Sequence, residues 1–170
     1  QNIIESFGIR VIRFTNKQVR QDLFEVEAQI KKIMEEQKVG VTPKKSRIAQ
    51  TLASPPRGGF RGHLNVYCTA GFPNVDSTLP IMEALQANGA DLIELGMPYS
   101  DPLADGPVIQ ESSSVAIANG MSMEVLFEQL KDMRASIHIP VILMGYMNPV
   151  LQYGFERFCA NAASVGVDGL

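Results

Sequence analysis

Three short runs of the chain carry no alternation of apolar and polar residues: "HLNVYCTAG" (63–71), "ADLIEL" (90–95) and "IPVILMGY" (139–146). A strand with one wet face alternates, so runs like these belong to strands covered on both faces. Helical spacing fills the gaps between them. In "NVDSTLPIMEALQANG" (74–89), Ile81 and Leu85 face inward, Asp76 or Ser77 supplies the cap, Pro80 falls in the first turn and Gly89 ends the helix. Another helix is expected near 108–119. "SMEVLFEQLKDMRAS" (122–136) starts on a Ser122 cap and turns Leu126, Leu130 and Met133 to one side. "FERFCANAAS" (155–164) makes a helix ended near Gly166, and "VDGL" (167–170) begins a fourth strand.

The order is therefore β-α-β-α-β-α-β, which makes a parallel α/β fold. An open doubly wound sheet and a (βα)8 barrel both satisfy it. No G-x-G-x-x-G follows the first strand, which weighs against dinucleotide binding. Upstream, residues 9–14 read as a short strand. Val19, Leu23, Val26, Ile30 and Ile33 mark one amphipathic helix over 17–36. Together they form a β-α extension over 1–38, too small for a core of its own. Residues 39–62 are rich in Pro, Gly and basic residues and read as a linker, with "SRIAQTLA" (46–53) making about two helical turns.

Composition excludes several classes of function. Of the 170 residues, 45% are hydrophobic and 19% charged, which is the balance of a folded chain. A net charge of −3 gives no general attraction to nucleic acid or to an anionic membrane. No apolar run is long enough to span a bilayer, and no basic-then-apolar leader opens the chain. Cys68 and Cys159 lack zinc or redox spacing, so a reduced cytosolic compartment is expected. The chain opens on Gln1 and stops at a strand-like start, so both ends are expected to be cut from a longer reading frame.

In parallel α/β folds the chemistry gathers beyond the carboxyl ends of the strands. The first strand carries Tyr67 and Thr69 there, the second Glu94, the third Met144, Tyr146 and Asn148. A carboxylate at the lip of an apolar sheet is desolvated. That would raise its pKa and suit proton transfer near neutral pH. A structural carboxylate accepting backbone N–H groups is the other reading of Glu94. The following loop, "GMPYSDPLADGP" (96–107), is long enough to be functional. Its Asp101 and Asp105 read either as site residues or as ordinary turn chemistry. His63 and His138 have no second ligand at metal spacing, so no metal is expected. Cys68, Cys159, Tyr153 and Phe155 read as packing. No Gly-rich loop cradles a phosphate.

Five stretches carry a resemblance: "VYCTAGFPN" (66–74), "GADLIELGMPYSDPLADGPVIQ" (89–110), "LFEQLKDMR" (126–134), "IPVILMGYMNPVLQYG" (139–154) and "VGVDGL" (165–170). Through them residues 45–170 resemble the tryptophan synthase alpha chain family. "RIAQTLA" matches that family's leading helix, and "SPPRGGFRGH" fits it less well. The resemblance implies a (βα)8 TIM barrel of which about four strands, the first half, lie in 63–170. It implies a cytoplasmic lyase that cleaves indole-3-glycerol phosphate by a retro-aldol reaction to indole and glyceraldehyde 3-phosphate. No cofactor or metal is implied for this chain. Pyridoxal phosphate belongs to the beta chain, its partner in an alpha2-beta2 complex.

The same resemblance implies residue roles. Glu94 stands as general acid and base, and Asp105 as acceptor for the indole N–H. Tyr67, Ile109, Met144 and Tyr146 line the substrate pocket. Pro98, Asp101, Pro102, Asn148 and Pro149 face the beta chain. The family's phosphate site lies in loops after later strands, so a polypeptide of these 170 residues is expected to be inactive alone. Another TIM-barrel enzyme acting on a phosphorylated sugar is the alternative. In residues 1–38, "GIRVIRFTNKQV" and the helix after it resemble the tail of a very-short-patch-repair-type, restriction-endonuclease-like domain, without the carboxylates and Lys that bind its metal.

Overall fold

The computed structural model describes Ala28, residues 46–55 and residues 62–170. The β-α extension expected over 1–38, its nuclease-like resemblance and much of the expected 39–62 linker lie outside the described residues. Helix α1 (Arg47–Ala53) opens the described unit, with Ser46 Oγ accepting from the Ala49 N–H at 3.4 Å. Strand β1 (Asn65–Thr69) leads through a 3₁₀ turn (Val75–Ser77) into α2 (Thr78–Ala87). Then come β2 (Leu92–Gly96), α3 (Pro107–Ala118), α4 (Met123–Leu130), a 3₁₀ turn (Met133–Ala135) and β3 (Val141–Met144). Helices α5 (Met147–Tyr153) and α6 (Phe155–Ser164) close the order.

The strands form a parallel sheet in the order β1-β2-β3. Where a fourth strand was expected, a single parallel bridge pairs Gly169 with Ile142. Leu143 N–H donates to Gly169 O at 3.0 Å, continuing the ladder outward from β3. The described residues thus hold a partial parallel barrel.

Register decides which side chains share a face. Val66, Ile93 and Val141 pair in one row, and Cys68, Leu95 and Leu143 in another. Both rows face the helices. Ile93, Leu95 and Val141 are wholly buried there with Met82, Ala116, Leu126, Leu130, Met133 and Phe158. Burying one Leu or Ile contributes about 1.5–3 kcal/mol. A one-residue slip of β2 would turn Glu94 into this core, so the register is fixed strongly. The opposite face carries the row Tyr67, Glu94 and Ile142 and, above it, Thr69, Gly96 and Met144.

Helix α4 follows the first part of its sequence pattern: Ser122 Oγ accepts from the Val125 N–H at 3.3 Å, and Leu126 and Leu130 are buried. The helix expected over 122–136 stops at Leu130, however, and the buried Met133 falls in the 3₁₀ turn after it. Helix α2 departs from its pattern. Its buried residues are Thr78 and Met82, while Ile81 and Leu85 are half-buried. Thr78 Oγ1 accepts from the Gly71 N–H at 3.1 Å, which draws position 78 inward and rotates the stripe. Neither Asp76 nor Ser77 caps α2 through its side chain. The helix is entered through the 3₁₀ turn, where Ser77 Oγ accepts from the Asn74 N–H at 3.3 Å. Helix α5 was not anticipated. The third strand stops at Met144, and Asn148, expected at that strand's end, falls with Pro149 in the first turn of the helix, where Pro is tolerated.

At the amino-terminal rim, Asp168 binds two arginines. Arg47 Nε reaches Oδ1 at 2.8 Å and Arg134 Nη2 reaches Oδ2 at 2.5 Å, while Val141 N–H donates to Oδ2 at 2.9 Å. Arg134 also donates to the carbonyls of Ile137, Ile139 and Gly166. These bonds tie α1 to β3 and to the stretch that pairs beyond it.

Candidate active site

Above the sheet's carboxyl end lies a cavity of about 190 Å³. Tyr67 comes from β1, Met144 from the end of β3, Tyr146 from the N-cap of α5, and Tyr99 and Asp105 from the long loop after β2. Ser113 reaches it from α3. The cavity therefore gathers four residues that the sequence nominated: Tyr67, Asp105, Met144 and Tyr146.

Tyr67 OH stands 3.3 Å from Thr69 Oγ1, which in turn lies 2.7 Å from Ser112 Oγ. Burial pushes the Tyr67 phenol above its ordinary value; the Thr69 hydrogen bond opposes this, and the Asp105 charge adds to the rise. The tyrosine lies flat across Gly96, where any Cβ would overlap its hydroxyl. Cys68 points to the helical side, and burial pushes its thiol up to about 11, which makes it packing rather than a nucleophile.

Glu94 and Ile109 are not in the cavity wall. Glu94 is half-buried, so the desolvation expected of it is only partial. Its Oε1 accepts from Asn65 Nδ2 at 2.8 Å rather than from backbone N–H groups. Asn65 pairs with Leu92, two residues before Glu94, so the carboxylate lies down the sheet and away from the mouth. Ile109 is half-buried on α3, and its carbonyl accepts from Ser112 Oγ at 3.0 Å.

The loop after β2 is held by hydrogen bonds. Asp101 is exposed; Ser100 Oγ donates to its Oδ2 at 2.5 Å and Leu103 N–H to its carbonyl at 2.9 Å, which is turn chemistry. Asp105 N–H donates to Pro102 O at 3.1 Å. Pro98 and Pro149 line a second, outer groove of about 400 Å³ between this loop and α5. Asn148 is exposed beside it, and Pro102 is half-buried.

Sequence reading missed Asn65 as the partner of Glu94, and Gln110 and Tyr146 as restraints on the loop. Only the cross-strand register, which places Asn65 on the face of Tyr67 and Glu94, could have signalled the first. Among the described residues, no three of His, Cys, Asp and Glu stand together as metal ligands. His63 Nε2 bonds Ser54 O at 3.1 Å, and His138 is exposed. Among the described residues no helix is long and apolar enough to cross a membrane.

Comparison with known proteins follows the same boundaries. The family model for "Tryptophan synthase alpha chain" matches residues 59–170. Over 109 residues the chain is 56% identical to the tryptophan synthase alpha chain of Parabacteroides distasonis, covering 64% of this chain and 42% of that one. Over 125 residues it is 46% identical to the alpha chain of Bacteroides fragilis, 74% of this chain and 46% of that one. Among solved structures it resembles tryptophan synthase subunit alpha from Legionella pneumophila str. Paris. There the TM-score is 0.67 at 39% identity, over 73% of this chain and 47% of that one. A tryptophan synthase complex from Pyrococcus furiosus matches at TM-score 0.59 and 44% identity, over 63% of this chain and 44% of that one. The chain thus spans less than half the length of these relatives.

Proposed function

The chain belongs to the tryptophan synthase alpha chain family, and from that membership we propose that residues 59–170 carry the catalytic carboxylates of a cytoplasmic carbon–carbon lyase acting on indole-3-glycerol phosphate. The observation that carries this is the cavity at the strand ends, where Asp105 meets Tyr67, Met144 and Tyr146 beside an aromatic-sized, largely apolar space. Glu94 stands in the same row of the sheet as Tyr67, outside the cavity lining.

The reaction breaks the bond between the indole ring carbon and the glycerol carbon. The hydroxyl on that glycerol carbon loses its proton and becomes the aldehyde carbonyl. The bonding electrons pass to the ring, and the ring carbon takes a proton. One carboxyl can serve both transfers: the acid gives its proton to the ring carbon, and the carboxylate so formed accepts the proton that the hydroxyl loses as the carbon–carbon bond breaks. Glu94 is the candidate, and it must leave Asn65 and turn toward the cavity to act. Asp105, fixed over the cavity, offsets positive charge building on the indole nitrogen as its N–H is drawn toward the carboxylate. This chemistry asks for no metal and no cofactor in this chain.

Pro98, Asp101, Pro102, Asn148 and Pro149 form the surface offered to a beta chain, which would bring pyridoxal phosphate in an alpha2-beta2 complex. The phosphate of the substrate would be held by parts of the barrel outside these 170 residues. A polypeptide of this length therefore produces no indole on its own.

The test is a chimera in which residues 59–170 replace the homologous stretch of the Parabacteroides distasonis chain. It should release indole from indole-3-glycerol phosphate, and Glu94→Gln should lower its kcat by about 10²–10⁴. A Glu94→Gln chimera as active as its parent would remove Glu94 from the chemistry. Indole from the purified 170-residue chain would refute its inactivity.

A further inference from the structure

We infer that Gln110 is a positioning residue that sets Asp105 over the cavity, through a clamp on the loop's backbone completed by Tyr146. The loop has little else to hold it. Next to Asp105, Leu103 is 92% exposed and Ala104 and Gly106 are exposed as well, so apolar burial contributes little to this half of the loop, whereas Met97 and Tyr99 pack at its start. Hydrogen bonds from outside the loop do the holding. Gln110 Nε2 donates to Asp105 O at 2.8 Å and reaches Pro102 O at 3.4 Å, so one carboxamide spans the turn between them. Its own N–H donates to Gly106 O at 3.0 Å, which anchors the side chain in the first turn of α3. From the other side Tyr146 OH accepts from the Ala104 N–H at 2.8 Å, and its ring packs on Tyr99 with centroids 5.2 Å apart. The Leu103–Ala104 peptide unit is therefore held by Tyr146, just beyond β3, and the Asp105–Gly106 unit by Gln110 of α3. The Asp105 carboxylate keeps its acceptor capacity for whatever enters the cavity.

Both bonds from Gln110 use N–H donors against carbonyls. A glutamate there has the same size but only acceptors, so it repels both carbonyls. The inference rests on the proposed contact between Asp105 and an indole N–H, and the test separates the two. The 170-residue chain is titrated with indole and with 1-methylindole, which lacks the N–H, by NMR. Ala104 amide exchange is measured in the same samples. The wild type should prefer indole by about tenfold, about 1.4 kcal/mol. Gln110→Glu should reduce that preference below about threefold and speed Ala104 exchange at least tenfold, with the other amide resonances in place. Gln110→Met, which removes the donors without adding charge, should do the same and serves if the glutamate disturbs folding. Tyr146→Phe should speed Ala104 exchange as well. If Gln110→Glu and Gln110→Met leave both preference and exchange at wild-type values, the inference is overturned. If the wild type shows no preference for indole, the Asp105 contact fails. Ala104 exchange in the Gln110 variants then decides the clamp alone, with faster exchange supporting it and unchanged exchange overturning it.

Discussion

Asn65 on β1 donates its side-chain amide to the Glu94 carboxylate on β2 at 2.8 Å, and the bond points the acid away from the cavity that holds Asp105. Asn65 is exposed, so the bond is only partly shielded from water and its net worth is about 1 kcal/mol or less. Asn65→Val, a good strand residue, should therefore change stability by less than about 1 kcal/mol. It should free Glu94 to turn upward. In the chimera, kcat should rise by up to about fivefold, the factor that 1 kcal/mol represents. NOEs should appear between the Glu94 side chain and the Tyr67 ring. A kcat that falls tenfold instead would mean that Asn65 assists Glu94 rather than parking it.

Asp105 presents its carboxylate to the cavity while its backbone is restrained from both sides. Asp105→Asn keeps the shape and one acceptor oxygen, but it turns the other oxygen into an NH2 donor and removes the charge. In the chimera it should lower kcat/KM by about 10², the scale of losing one preorganised electrostatic contact. Folding should stay intact, because no side-chain bond of the carboxylate supports the loop. Steady-state kinetics beside a far-UV CD melt distinguishes this from a destabilised chain. An Asn variant with parental kcat/KM would assign the charge no part in the reaction.

Much of the fold was legible because apolar runs and helical stripes report burial directly. β1 and β3 fall inside the runs quoted from the sequence, β2 passes the end of its run by Gly96 alone, and the Ser122 cap needed only local spacing. Two local readings failed for lack of tertiary information. Met82 rather than Ile81 faces the core because Gly71 bonds Thr78 and turns the helix. α5 hides behind Pro149, which argues against a helix everywhere except in its first turn, where it stands. The acids themselves were visible at the strand end, but their environments were not. Glu94's partner lies 29 residues away and is specified only by register, and Asp105 is placed through its backbone, which no side-chain pattern announces.

Cys68 gives the chain a pH dependence. Burial pushes its thiol from an ordinary value near 9.0 up to about 11, so folding favours the protonated form. Between those values the unfolded chain ionises first and binds fewer protons than the folded one, so stability falls as pH rises. The loss should be absent below about pH 8.5 and reach roughly 2 kcal/mol near pH 11. Tyr67, also raised by burial, adds to the same trend at higher pH. Urea unfolding at pH 8, 9.5 and 10.5 should show the slope in the wild type and a shallower one in Cys68→Ala. Equal slopes in the two chains would exclude Cys68 as the source.

The rim network predicts unequal costs for losing Asp168 and losing Arg47. Asp168 is 8% exposed in its side chain, yet it serves Arg47, Arg134 and the Val141 N–H at once. Asp168→Ala strands Arg134, whose guanidinium is mostly buried and already held below its ordinary value by desolvation despite the Asp168 charge. Removing one partner of such a pair costs about 3 kcal/mol, because the other charge is left without compensation. In a chain of this size that is a fall in Tm of about 6–12 °C. Arg47 is 40% exposed and sits on a helix with no buried residues, so Arg47→Ala should cost no more than about 1 kcal/mol. Urea unfolding followed by far-UV CD measures both. Equal costs would mean that α1, rather than the tie between Arg134 and β3, carries the stability of this rim. The double variant then checks the coupling: once Asp168 is gone, Arg47→Ala should add less than it costs in the wild type, only its bond to Gly166 O at 2.9 Å being left to lose.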